Sequence, residues 1–214
     1  MRVLVACETS GVVRDAFRAA GHDAWSCDLL PAQGDGRFHI SGDALIAAHA
    51  GKWDMMIAHP PCTYLTNSAA WAFKDGPYHQ RVKPGTLTGA ARRAARVDAV
   101  QFVRDLWAAP IERKCIENPI GALSHLWRRP TQIIQPYQFG EDASKATCLW
   151  LENLAPLEPL PRDRWHSPRI VGGRPRWSNQ TDSGQNRLSP SPNRWQVRSD
   201  TFPKIAAAMA AQWG

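Results

Sequence analysis

The feature that most constrains this chain is a recurring pattern: short apolar runs that stop at polar or reactive residues, separated by stretches with helical periodicity. Val3-Leu4-Val5-Ala6-Cys7 leads into Glu8-Thr9-Ser10-Gly11, and an amphipathic segment follows through Val12, Val13, Ala16, Phe17 and Ala20, closed by Gly21. Ala24-Trp25-Ser26-Cys27 ends at Asp28, Trp53-Asp54-Met55-Met56-Ile57-Ala58 runs into His59-Pro60-Pro61-Cys62, and Lys114-Cys115-Ile116 ends at Glu117. Ala146-Thr147-Cys148-Leu149-Trp150-Leu151 is a further strand. Strands that alternate with helical stretches predict an α/β fold, a mostly parallel sheet with helices on both faces. In such a sheet ligands bind beyond the carboxyl ends of the strands. Glu8, Asp28, Cys62 and Glu117 all fall there.

The spacing predicts a long helix over 89–108, with Ala94, Val97, Val100, Val103, Leu106 and Trp107 toward the core and Arg92, Arg93, Arg96 and Arg104 mostly outward. From about Pro156 the composition turns to Pro, Arg, Ser, Asn and Gln, and no apolar period returns before Phe202. A closing helix from Pro203 through Ile205, Ala206, Met209 and Trp213 is apolar enough to dock on the sheet. The expected division is therefore a core over 1–155, an insertion over 156–197, and a helix over 198–214 that returns to the core.

The net charge of +7 favours a polyanionic partner, and its distribution is more telling than its size. Arg162, Arg164, Arg169, Arg174, Arg176, Arg187, Arg194 and Arg198 are interleaved with Trp165, Trp177 and Trp195. Guanidinium groups beside indoles suit phosphates and stacked bases. The plain alternative is a solvated Arg-rich loop. The segment 160–197 is expected to be poorly ordered without such a partner. The five cysteines form an odd set without a Cys-x-x-Cys pair, so neither disulfides nor a structural metal is expected. No apolar run approaches a membrane span, and a first strand starting at Arg2 leaves no room for a signal peptide, so a cytoplasmic protein is expected.

Two prolines fix two φ angles ahead of Cys62 and remove two backbone donors, which suits a nucleophile on a stiff loop. A thiol of this kind, paired with a remote carboxylate at Glu117, is the equipment for attack on a pyrimidine ring. A basic, strand-end setting should lower the thiol's pKa. Cys62 as a small core residue and Glu117 as a surface cap are the structural alternatives. The polar stretch from Ala72 to Gly89 directly follows and reads as a lid.

With this order established, the chain resembles the cytosine-5 DNA methyltransferases, most closely a small subgroup met in phages and prophages. The resemblance rests on Val5-Ala6-Cys7-Glu8-Thr9-Ser10-Gly11-Val12-Val13-Arg14, His59-Pro60-Pro61-Cys62, Glu117-Asn118-Pro119, Gln135-Pro136-Tyr137-Gln138-Phe139-Gly140 and Lys145-Ala146-Thr147-Cys148-Leu149-Trp150-Leu151. It covers residues 1–155 well and 195–214 moderately. It departs from the family in having Gly11 alone where two glycines are usual. Ala143-x-Lys145-x-Thr147 replaces a Gln-x-Arg-x-Arg strand, and the segment available for target recognition is short.

The resemblance implies a Rossmann-like fold dependent on S-adenosylmethionine, and a double-stranded DNA partner whose target cytosine is flipped out. Cys62 would attack carbon 6, and Glu117 would neutralise charge at N3 and the exocyclic amine. Lys145 or a later arginine would stand in for the missing arginine. Asp28 would hold the ribose hydroxyls of the cofactor, Asp43 its adenine amine, and Glu8, Ser10 and Gly11 its methionine end, with Pro60, Ser199 and Thr201 also lining it. Asp28 and Asp43 could equally cap helices. Thr66, Arg162, Arg164, Arg174, Arg176 and Trp177 would meet DNA. Two other classes stay open: a covalent enzyme acting on a pyrimidine nucleotide or with another one-carbon group, and a non-catalytic DNA-binding protein on the same scaffold.

Overall fold

The computed structural model describes residues 1–191 and 194–214; positions 192 and 193 of the expected insertion lie outside the described residues. In chain order the elements are β1 (Arg2–Ala6), α1 (Val12–Ala19), β2 (Asp23–Asp28), β3 (His39–Ser41), α2 (Ala44–Ala50), β4 (Met55–Ala58), α3 (Gly89–Ala108), β5 (Arg113–Pro119), α4 (Leu123–Leu126), β6 (Gln132–Ile134), β7 (Thr147–Glu152), β8 (Arg169–Val171), β9 (Arg174–Arg176), α5 (Arg194–Ser199) and α6 (Pro203–Trp213). Seven strands form one Rossmann-like sheet in the order β3-β2-β1-β4-β5-β7-β6. Strands β1 to β5 pair in parallel, and β7 runs antiparallel between β5 and β6.

The continuous apolar runs are explained by helices on both faces. Along β1, Val3 and Val5 pack with Val13 and Phe17 of α1 and with Ile205, Met209 and Trp213 of α6. Leu4 and Ala6 point the other way, toward Ala44 and Ala48 of α2 and Val100, Val103 and Leu106 of α3. The same alternation recurs on β4, where Met55 and Ile57 face one layer and Met56 and Ala58 the other. The indole of Trp213 donates to the Ala155 carbonyl at 2.9 Å, which pins the closing helix to the end of the core.

The sheet corrects the expected α3 face. Val97 is 67% exposed and Ala94 is exposed, whereas Arg92 is only 5% exposed. The first half of α3 turns its arginines onto the loop after β4, so the apolar stripe starts only at Val100. The segment after Pro156 is also less irregular than its composition predicts. It forms the β8–β9 hairpin, and Trp177 stacks on Tyr137 with centroids 4.5 Å apart while Trp165 meets the same ring edge-on. Ser178 donates to both the side chain and the backbone carbonyl of Asp142, and Asn179 and Ser144 exchange hydrogen bonds. No helix among the described residues is long and apolar enough to cross a membrane.

Candidate active site

The strand order reverses between β1 and β4, and their carboxyl ends open the crevice where α/β sheets hold ligands. Asp28 and Glu117 end or nearly end β2 and β5 at this edge. Because β7 is antiparallel, its start lies there too: Thr147 pairs with Pro119, and Lys145 sits just before it. Topology thus brings Cys62, Glu117 and Lys145 to one edge from three separate stretches of sequence.

The loop carrying Cys62 is fixed almost carbonyl by carbonyl. Asn118, 2% exposed, donates its amide to Pro60 O at 2.8 Å. Cys62 O accepts from Leu65 N at 2.9 Å and Thr66 N at 3.0 Å, closing a turn. Arg92 donates to Thr63 O at 3.3 Å, and Arg96 donates to Tyr64 O at 2.7 Å and Thr66 O at 3.4 Å. Leu65 O accepts from Ala122 N at 2.7 Å, and Thr66 bridges Gly121. A Cβ on Gly121 would lie 2.0 Å from Leu65 O, so only glycine permits this approach. The Arg92 and Arg96 guanidinium groups also lie over the Phe73 ring, at 4.7 and 3.4 Å. Helical periodicity predicts these arginines mostly outward; Asn118 and His59 lie within the motifs, but nothing in sequence signals their supporting contacts.

Glu117 and its neighbour His59 form the second half of the site. His59 Nδ1 stands 3.3 Å from Glu117 Oε2, with side-chain exposures of 10% and 13%. Burial opposes ionisation of Glu117, yet the hydrogen bond from His59, the Lys145 charge and the His59 charge outweigh it. The carboxyl is held below its ordinary value. Cys62 departs from expectation in the other direction. Burial and the nearby Glu117 charge push the thiol up, against the weaker pull of Lys145 and Arg198. The expected basic environment is present in Lys145 and Arg198, but burial and then the Glu117 charge outweigh it. Beyond Glu117, Lys145, Thr147, Thr201 and Phe202 leave a cavity of only about 10 Å³. That is room for one water and not for a pyrimidine. Lys145 Nζ donates to Asp200 O at 3.4 Å, so the stretch before α6 closes this side.

At the β1 and β2 ends the expected residues divide. Asp28 accepts from Leu30 N through one oxygen, beside Leu29, which is 78% exposed. Asp43 caps α2 by accepting from Leu45 N at 2.7 Å. Glu8 does not face the crevice as anticipated. It is 5% exposed and accepts from Val13 N at 2.7 Å and Arg14 N at 3.3 Å, so its carboxylate caps the start of α1. Ser10 donates to Glu8 at 3.4 Å and accepts from Val12 N. Gly11 has φ of 73°, and the space over its Cα is filled by Arg14. This turn is built around its own helix. Ser199 is exposed and donates to Gln196 O, while Thr201 lines the Glu117 cavity.

Of the residues expected to meet DNA, Arg162, Arg164 and Arg174 are exposed and Thr66 lies in the Cys62 loop. Arg176 bonds Asp182 O and Pro175 O. One face of Trp177 is covered by Tyr137, which leaves it less surface for a base than the sequence promised. A cleft of about 350 Å³ lined by Arg169, Arg176, Arg187, Ser167, Ser178 and Asp142 lies beside the hairpin. Its arginines are scattered in sequence and meet only through the β8–β9 pairing and the turn after it.

No family model matches the chain, and no curated protein matches it. Among solved structures it is similar to a protein assigned as a DNA modification methyltransferase encoded within an E. coli prophage. The identity is 13% over 71% of this chain and 46% of that one, with a TM-score of 0.40. It is also similar to a substituted form of DNMT2 from Spodoptera frugiperda, 13% identical over 82% of this chain and 57% of that one, with a TM-score of 0.35. The chain spans about half the length of these structures, and likenesses this distant carry no weight in assigning its chemistry.

Proposed function

We propose that the chain is a DNA methyltransferase that modifies carbon 5 of cytosine through a covalent bond from Cys62 to carbon 6. The observation that carries this reading is the coupling of the Cys62 loop to the Glu117 strand: Asn118 holds Pro60 O while His59 holds Glu117. A core cysteine would need no such fixture, and a capping glutamate would not be bonded to the residue three before the cysteine.

In the resting site Cys62 keeps its proton and Glu117 does not. Attack forms the sulfur–carbon bond and drives electrons onto the ring, and N3 takes up a proton as that charge develops. The proton leaving sulfur balances the one gained at N3, and Glu117 is the acceptor that hands it on. Glu117 thus acts as a relay between thiol and ring, and Lys145 steadies its charge. Once carbon 5 carries its new methyl group, its proton would leave to solvent, the sulfur–carbon bond would break, and N3 would return its proton to sulfur.

The residues present fit S-adenosylmethionine in kind. Asp28 offers a carboxylate oxygen for a ribose diol, exposed Leu29 an apolar surface for adenine, and Asp43 an oxygen beyond its cap, while Pro60 is buried with its carbonyl held by Asn118. Glu8 and Gly11 serve this end only indirectly, by shaping the turn. When bound, the cofactor supplies an electrophilic methyl group. Residues 1–155 make the catalytic core, 156–197 the DNA-recognition segment, and 198–214 the returning helix. Arg162, Arg164 and Arg174 would reach phosphates, and a cytosine would enter only after the Asp200–Phe202 stretch opens, at a flipping cost of a few kcal/mol.

A second reading keeps the covalent step but takes a free pyrimidine nucleotide, favoured by Lys145 at the place of an expected arginine. Mass spectrometry of digested DNA from cells expressing the protein separates the two. 5-Methylcytosine that disappears with Cys62→Ala supports the first reading. Unmodified DNA together with a modified nucleotide pool supports the second, and neither product would refute both.

A further inference from the structure

His59 ties the end of β1 to the Glu117 carboxylate on β5. Its backbone N–H donates to Ala6 O at 2.9 Å, tying it to β1, and its ring Nδ1 reaches Glu117 Oε2 on β5 at 3.3 Å. Nε2 is buried and has no hydrogen-bond partner among the described residues. Glu8, beyond β1, feels the charge of this ring, with Arg14 of α1 behind it. Near Glu117 from the other elements are Lys145 before β7 and Cys62 on its loop; on its own strand the buried Cys115 shares its face, and Cys148 of β7 lies on the opposite face of the sheet. An ionised carboxylate can only accept, so the contact requires a hydrogen on Nδ1.

Resting on the methyltransferase reading above, we propose that His59 is a positioning residue for the reaction: it occupies Glu117 Oε2 as a donor, fixes the carboxylate as a proton acceptor, and turns Oε1 toward the pyrimidine. A separation of 3.3 Å is longer than the roughly 2.7–2.9 Å of a tight charge-assisted bond, so the pair has room to shorten when a base docks. The three-residue span from His59 to Cys62 makes this placement economical. One stiff Pro-Pro step sets both the nucleophile and the orienting group of its distant partner. A histidine that only filled space at the end of β4 would not need its hydrogen on Nδ1.

The test compares wild type with His59→Gln, whose amide can still donate to Glu117, and His59→Leu, which cannot. The Glu117 carboxyl is titrated in free protein by carbon-13 NMR, and methyl transfer to duplex DNA is followed against pH. Expected is a higher Glu117 titration midpoint in His59→Leu, with the acid limb of kcat/KM moving up with it. Turnover should fall roughly 10–100-fold, as for outer partners of a functional group, with the KM for S-adenosylmethionine unchanged and much of the loss recovered in His59→Gln. An unmoved Glu117 midpoint in both variants overturns the proposal. Should neither variant fold, nitrogen-15 NMR of the wild type decides. A hydrogen on Nδ1 upholds the proposal, and a neutral ring with its hydrogen on Nε2 overturns it. A wild type that transfers no methyl group would defeat the methyltransferase reading, while the NMR midpoints still judge His59.

Discussion

Gly121→Ala isolates the fixture that holds the Cys62 loop without touching Cys62 or Glu117. The added Cβ would stand 2.0 Å from Leu65 O and 3.0 Å from Thr66 Cα, both backbone atoms. Ordinary carbon contacts begin near 3.5 Å, so one backbone must retreat by roughly 1.5 Å. That movement breaks the 2.7 Å bond from Ala122 N to Leu65 O. A lost hydrogen bond costs about 1 kcal/mol and local overpacking about 1–3 kcal/mol, for a total of about 2–4 kcal/mol. In a chain of 214 residues this lowers Tm by roughly 4–16 °C. Because Leu65 closes the turn on Cys62 O, the thiol moves as well, and a misplacement near 1 Å can cost about 100-fold in rate. Thermal melts followed by circular dichroism measure the first effect. The rate of covalent capture of a 5-fluorocytosine duplex measures the second. A Tm within about 2 °C of wild type and an unchanged capture rate would refute the inference that this contact sets the loop.

Arg92→Ala should destabilise by about 1–3 kcal/mol, since it strips the Thr63 carbonyl of its donor and removes a buried cation from the Tyr64 and Phe73 rings; chemical denaturation checks this. Arg92→Lys should not rescue it, because an ammonium cannot fork to both Leu87 O and Thr63 O. Asp28→Ala should weaken S-adenosylmethionine binding in calorimetry while leaving DNA affinity unchanged; the reverse pattern would move the cofactor edge elsewhere. For Glu117, a folded pKa below its usual 4.5 means that the ionised group stabilises the fold above that pH, and the contribution drains away as pH falls through the lowered value. The stability difference between wild type and Glu117→Gln should therefore be constant at neutral pH and shrink in acid. Glu8, raised by burial, contributes with the opposite sign, so the comparison must be made within the Glu117 pair.

The sheet was legible because strands covered on both faces leave unbroken apolar runs, as in Val3–Ala6 and Met55–Ala58. β3 was not, since His39-Ile40-Ser41 has one apolar residue and owes its pairing to β2. α2 escaped notice for a similar reason: its buried alanines carry too little contrast to mark a face. The candidate residues Cys62 and Glu117 could be found as strand ends, but their supports could not. Arg92 and Arg96 look like a solvated stripe until the loop at 63–66 is folded against them. Glu8 looked available to a ligand because nothing in sequence says that the α1 amides will claim it. The direction of the Cys62 pKa shift is not legible in sequence because its largest cause, burial of the loop against its supports, exists only in the folded chain, with the Glu117 charge adding to it.

The most direct measurement is covalent capture. Wild-type protein is incubated with S-adenosylmethionine and duplex DNA containing 5-fluorocytosine, where fluorine at carbon 5 blocks the elimination that would free the enzyme. The product is then denatured and digested, and the adducted peptide is sequenced by mass spectrometry. The account predicts a denaturant-resistant adduct on Cys62, absent in Cys62→Ala although that variant still binds the cofactor. Methylated DNA with no adduct in the wild type, or full transfer activity in Cys62→Ala, would contradict it.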